Sequence, residues 1–215
     1  MIDSAKDIIQ AFAEKDNEAP RKYPGVTSIL KATKPYSSGL EEWVAREGQA
    51  EATRIFEEAQ RFGSSLDAIV NDHLSLPNFT RDDYKKEIGF QLFRQLEPLL
   101  GRVVPYAVQL RLWSERLEAR GILDCVGLFD GELSLIDIKN SRNLKREEWI
   151  EDYFLQCTMY SMMIYDLMAV EVKQIVLLIA VRGENSPQVF VKKTKDYVKP
   201  VLRRVSQYRT ALATN

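Results

Sequence analysis

The stretch Gly121-Ile-Leu-Asp-Cys-Val-Gly-Leu-Phe-Asp-Gly-Glu-Leu-Ser-Leu-Ile-Asp-Ile-Lys139 controls the reading of the whole chain. Asp130-Gly131 at its centre is a strong two-residue hairpin signal, because both residue types tolerate the positive φ that tight antiparallel turns demand. With those two residues at the turn, Phe129 pairs with Glu132. Counting outward then sets Asp124 opposite Asp137 and Ile122 opposite Lys139. Cross-strand partners have Cβ atoms about 4.5–5.5 Å apart, and like charges facing each other there are destabilising. A divalent cation would neutralise them. Side chains alternate along a strand, so Val126, Leu128, Leu133 and Leu135 share the carboxylate face, while Leu123, Cys125, Ile136 and Ile138 share the other. Both faces are apolar, which places the acids and Lys139 where a buried sandwich opens to solvent. An exposed strand end with a simple Asp–Lys ion pair is the other reading of this spacing.

Working outward, apolar spacing predicts a first helix over Ser4 to Glu14, followed by a polar, proline-containing stretch from Lys15 to Pro24. A long helical region is expected from Ser38 to Leu76, broken near Gly48 and Gly63. Thr80 with Asp83 has the form of a capping box for a helix ending near Leu100. The period then changes. Val103 to Leu117 and Gly121 to Lys139 read as strands, Arg146 to Met168 as a helix, Val172 to Val181 and Gln188 to Lys193 as strands. A closing helix spans Asp196 to Leu212, with Pro200 near its first turn. The expected class is mixed α/β (α+β) in one domain over residues 1–215: a mainly helical part over 1–100, and a mostly antiparallel or mixed sheet with flanking helices over 101–215.

The 215 residues are 45% hydrophobic and 28% charged, enough for a sizeable core, and no window reaches the length of a membrane span. Met1 to Gln10 carries Asp3, Lys6 and Asp7 and lacks the apolar run of a secretory signal, so a cytoplasmic, intracellular protein without membrane attachment is expected. The two cysteines, Cys125 and Cys157, are too few for a four-cysteine zinc or iron–sulfur site and read as small buried groups. With 30 Lys+Arg against 31 Asp+Glu, any polyanion must be held by local clusters. One such cluster is Lys139, Arg142, Lys145 and Arg146; another is Lys192, Lys193, Lys195, Lys199, Arg203 and Arg204, with a merely solvated helix face as its alternative. Tyr23, Tyr36, Trp43 and Trp149 are candidates for stacking unpaired bases, set against the commoner role of aromatics in a core. The only histidine, His73, stands about 240° round a helix from Asp67 and reads as a solvated or locally bonded side chain.

The hairpin resembles the active site of the PD-(D/E)XK nuclease superfamily in its RecB-like branch. Lys139-Asn140-Ser141 stands where that branch has Lys-Thr-Ser, and Gln156 with Tyr160 matches its Gln-x-x-x-Tyr motif. Arg61-Phe-Gly63-Ser-Ser-Leu-Asp67 resembles its Arg-Gly-Thr-x-x-His helix start, with Asp67 in the histidine position. Tyr23-Pro24-Gly25-Val26-Thr27 resembles the Pro-Ser-Val-Thr segment of mitochondrial genome maintenance exonucleases and phage-encoded relatives. The resemblance covers about Pro24 to Tyr160, and it departs at Gly25 and Asn140, where two hydroxyls are missing.

This resemblance implies a restriction-endonuclease-like core and a metal-dependent deoxyribonuclease. The expected activity is exonucleolytic cleavage of single-stranded DNA or strand ends, of the kind used in DNA repair and recombination, with a structure-specific endonuclease or a catalytically silent DNA-binding protein as alternatives. Asp67, Asp124, Asp137 and the main-chain carbonyl of Ile138 would hold Mg²⁺ or Mn²⁺, which suits hard oxygen donors. Lys139 would orient water and stabilise the phosphorane-like transition state. Gln156 and Tyr160, one helical turn apart, share a row with Asp152 and would contact the nucleic acid beside the cut bond, unless Tyr160 is simply a core aromatic. Thr27, Ser141, Arg142, Lys145 and Arg146 are the further nucleic-acid contacts implied. A monomer is expected, acting alone or with replication and recombination proteins.

Overall fold

The computed structural model describes residues 2–15, 18–35 and 38–213. Among these, β1 (Val103–Ser114), β2 (Ala119–Phe129), β3 (Glu132–Ser141), β4 (Gln174–Val181) and β5 (Gln188–Lys193) form one mixed sheet in that spatial order. All neighbours are antiparallel except β3 and β4, which run parallel with Asp137 beside Leu177 and Lys139 beside Ile179. A parallel pair needs a crossover, and α6 (Glu151–Met168) supplies it. β4 is buried on both faces from Ile175 to Val181, as its unbroken aliphatic run requires. The mixed α/β class expected from the sequence is therefore the class that forms.

Helices cover both faces. On one side α4 (Gln49–Ser75) and α5 (Phe90–Leu100) bring Leu66, Ile69, Phe93 and Leu96 against Cys125, Ile136, Ile138 and Val176. On the other, α6 packs with α1 (Ile2–Ala13), α2 (Val26–Ala32) and α7 (Val198–Ala213) over Val126, Leu135, Ile175 and Leu177. The carboxylate hairpin thus lies in the middle layer, apolar on both sides. No described helix is long and apolar enough to cross a membrane.

Several expectations are corrected. The break at Gly48 is real, with φ 85 between α3 (Ser38–Glu47) and α4, but α4 runs unbroken through Gly63. Gly63 packs under the Asn140 amide, whose Nδ2 would lie 2.9 Å from a Cβ there and would have to swing aside for a larger residue. Thr80 makes no side-chain cap; Arg81–Tyr84 is a single 3₁₀ turn, and α5 starts only at Phe90. Gly89, the residue before it, passes close to α4, where a Cβ would lie 2.5 Å from the Leu66 backbone nitrogen. His73 is half-buried, edge-on against Phe79 and Phe93, its Nδ1 lacks a partner, and partial loss of water lowers its pKa.

Leu123 joins the larger core rather than the Cys125 face. Val108 and its partner Cys125 face α4 and α5, whereas Leu110 and its partner Leu123 face the other side. Between them Gln109 adopts φ 52, so the β1–β2 ribbon turns over at the level of Asp124.

Candidate active site

The turn forms as the sequence demands, with Asp130 at φ 53 and Gly131 at φ 84. Partners run from Phe129 and Glu132 to Cys125 and Ile136, the register that places Asp124 and Asp137 next in line. There the ladder stops. In a two-residue hairpin, alternate pairs exchange main-chain bonds, and Leu123 with Ile138 should be the next bonded pair after Cys125 with Ile136. The Ile138 N–H instead donates to Asp124 Oδ2 at 2.9 Å. The Asp124 carboxylate has replaced the Leu123 carbonyl as acceptor, and from that point β3 is held by β4 alone as far as Ser141.

Asp137 is almost wholly buried, at 3% exposure, and Lys139 Nζ lies 2.6 Å from its Oδ2. The ammonium approaches outside the hydrogen-bonding direction, so that buried oxygen lacks an aligned donor. Lys139 Nζ also donates to the Ile138 carbonyl at 3.3 Å and sits 5.5 Å from the Tyr153 ring centroid. Burial pushes the Asp137 carboxyl up to about 7; the Lys139 charge works against this rise and Asp124 and Asp67 reinforce it. Asp67, exposed on α4, is raised to about 6, first by partial loss of water and then by Asp124. Burial alone would lower the pKa of Lys139, but Asp137 and Asp124 outweigh it and the net shift is upward, so the side chain stays protonated.

Gln156 and Tyr160 lie on α6 as one row, with Gln156 Nε2 donating to the Tyr160 hydroxyl at 3.3 Å. The Tyr160 ring fills the space over Gly121, where a Cβ would lie 2.6 Å from its Cε1. Tyr160 is therefore both a core aromatic and the support of the strand that carries Asp124. Asp152 does not act with this row. It pairs at 3.0 Å with Arg204, which is buried and also donates to Thr33 Oγ1 and the Leu30 carbonyl. Arg204 thus ties α7 to α2 and α6 rather than forming a solvated basic face.

The remaining candidates divide. Ser141 is buried and its hydroxyl closes a turn by donating to the Asn143 carbonyl at 2.6 Å, at the wall of the cleft that Arg142 and Lys145 also line. Arg142 is exposed, and Lys145 is held by two bonds between its backbone and the Gln188 amide. Both line a cleft of about 580 Å³ with Tyr153, Trp43 and Phe56. Arg146 lies over Trp149 and 3.9 Å from Glu148, farther along the loop. Thr27 is exposed in the first turn of α2, beside the point where Gly25 bridges Arg120. Tyr36 lies outside the described residues. Tyr153, whose ring faces Lys139, is a site residue that sequence spacing did not single out.

Among the described residues, no group of three or more His, Cys, Asp or Glu side chains is drawn together as a ready metal cage. The donor set is nevertheless that of a hard cation: the Asp124, Asp137 and Asp67 carboxylates and the Ile138 carbonyl. The buried Asp137 oxygen without an aligned donor fits that use, and at present the Lys139 ammonium is the cation beside it.

No family model matches this chain. Among curated proteins, mitochondrial genome maintenance exonuclease 1 of Mus musculus is 29% identical over 133 residues, covering 57% of this chain and 38% of the mouse protein. The chain therefore corresponds to well under half the length of that relative. Among solved structures, a candidate exonuclease from Eubacterium rectale is 16% identical with a TM-score of 0.45, covering 71% of this chain and 66% of its own. A second solved chain is 12% identical with a TM-score of 0.45, over 98% of this chain and 86% of that one. Those TM-scores are too low to carry an argument, and it is the similarity to the mouse exonuclease that supports a nuclease-like family.

Proposed function

We propose that the chain is a metal-dependent exonuclease that hydrolyses phosphodiester bonds in DNA, acting on single strands or strand ends at Asp124, Asp137 and Lys139. The observation that carries the reading is the opened hairpin, in which a buried carboxylate at Asp137 and a second at Asp124 share one rim with a protonated lysine. Mg²⁺ or Mn²⁺ on Asp124 and Asp137, with Asp67 and the Ile138 carbonyl as further oxygen donors, would neutralise the scissile phosphate and lower the pKa of a water. Lys139, protonated in the metal-free protein, faces the phosphate and would orient or activate that water and stabilise charge on the transition state. Gln156 reaches the strand from α6, held by Tyr160, and Arg142 and Lys145 carry its backbone.

Digestion of 5′- and 3′-labelled single strands, duplexes and closed circles with Mg²⁺, Mn²⁺ or EDTA tests this. Stepwise shortening of linear strands, abolished by EDTA and sparing circles, is expected. Nicked circles would move the assignment to an endonuclease. Tight binding without turnover in either metal would move it to a DNA-binding protein.

A further inference from the structure

A second cleft lies at the outer end of β2, beyond the carboxylates. It measures about 400 Å³ and is lined by Glu18, Arg21, Arg111, Arg120 and Ile122, with the backbone of Gly25 and Gly121 completing its wall. Local geometry brings its arginines together. Arg111 stands opposite Ile122 in the β1–β2 ladder, so the two share a face, and Arg120 is two residues from Ile122 and shares it too. Arg21 arrives on the segment pinned where the Arg120 N–H donates to the Pro24 carbonyl at 3.0 Å.

Among the described residues, none of these three guanidiniums forms an ion pair with an acid, whereas Arg54, Arg81, Arg102, Arg116, Arg182, Arg204 and Arg209 all do. Glu18 is the single carboxylate lining the cleft. Three guanidiniums against one carboxylate leave an excess of positive charge in a concave surface, and guanidinium forks match phosphate oxygens two at a time. Ile122, 47% exposed, offers an apolar contact beside them. Arg120 precedes Asp124 by four residues on one strand, about 13 Å along its length.

We infer that this cleft is a phosphate subsite for the strand that is cut at Asp124 and Asp137, a ligand identity that rests on the nuclease reading above. The bound group is a phosphodiester within the strand or a phosphate monoester at its end, which present the same oxygens.

Fluorescence anisotropy in EDTA tests the subsite without turnover, using 3′-labelled single-stranded oligonucleotides bearing either a 5′-phosphate or a 5′-hydroxyl. R111Q/R120Q, and separately R21Q on the loop, should bind about tenfold or more weakly. Their log–log salt dependence should flatten by about 1. R94Q, on the exposed face of α5, should match wild type. A loss confined to 5′-phosphorylated strands identifies the end group, and an equal loss for both identifies an internal phosphate. Wild-type affinity and salt slope in both arginine variants would overturn the subsite. The two readings fail separately: cleavage by wild type with arginine-independent binding removes only the subsite, and arginine-dependent binding without any cleavage in Mg²⁺ or Mn²⁺ removes only the nuclease.

Discussion

The two halves of the β2–β3 hairpin begin as one regular ladder and end as different objects. From Phe129 and Glu132 to Cys125 and Ile136 the strands are fully paired, and both faces are largely apolar, with Ser134 the buried polar exception. One step farther, a side-chain carboxylate intercepts the Ile138 N–H and the main-chain ladder between the strands ends. The paired half is stable for the usual reasons, burial and satisfied backbone. The open half keeps a buried acid of raised pKa beside two further carboxylates, a concentration of negative charge that Lys139 offsets only in part and that a bound cation would relieve.

The sharpest way to break the comparison is Asp124→Asn, which keeps an acceptor for Ile138 but removes the charge. Cleavage of a labelled strand should fall about 10²–10³-fold while the melting temperature barely changes. Asp124→Ala also leaves the Ile138 N–H without a partner, adding about 1–3 kcal/mol of destabilisation in a denaturant titration.

Gly121→Ala attacks the support of the open half. Its Cβ would meet the Tyr160 ring at 2.6 Å, and the cost should be about 1–3 kcal/mol by denaturant titration. In a Tyr160→Ala background that cost should largely vanish; an unchanged cost would show that Tyr160 is not what Gly121 accommodates. Ile136→Val, in the paired half, should cost about 0.5–1.5 kcal/mol and leave turnover per folded molecule unaltered.

The smallest effect belongs to Asp67. Its folded pKa of about 6 lies above the ordinary 3.8, so the folded state holds a proton that the unfolded state has released. Stability from this group is complete below about pH 4 and is lost as pH rises through 6. Asp67→Asn should therefore stabilise metal-free protein at alkaline pH by about 1 kcal/mol or less, given its solvent exposure, and should have no effect in acid. Thermal melts across that range read the difference directly.

What the sequence disclosed follows the reach of the forces involved. The turn at Asp130-Gly131 and the register to Asp124 and Asp137 are local, so counting residues was enough. The crossover helix and its Gln156–Tyr160 row are legible for the same reason. The interception of the Ile138 N–H by Asp124 is a choice between two acceptors, and periodicity carries no trace of it. Gly63 and Gly89 punctuate the sequence like breaks, but one lies inside a helix and the other just before one, and each sits close to a residue distant in sequence, Asn140 or Leu66. Ser141 matched a motif and its hydroxyl also closes a local turn, while Arg21, Arg111 and Arg120 matched none and share a cleft, since only the β1–β2 pairing and the Pro24 contact bring them together.

Calorimetric titration of Mn²⁺ into wild-type and Asp124→Asn protein, near the carboxyl values of about 6 and about 7 and in two buffers of different ionisation enthalpy, tests most directly whether the opened hairpin is a cation site. Wild type should take up Mn²⁺ with release of protons, and Asp124→Asn should lose that uptake; equal uptake by both proteins, or none by wild type, would contradict it.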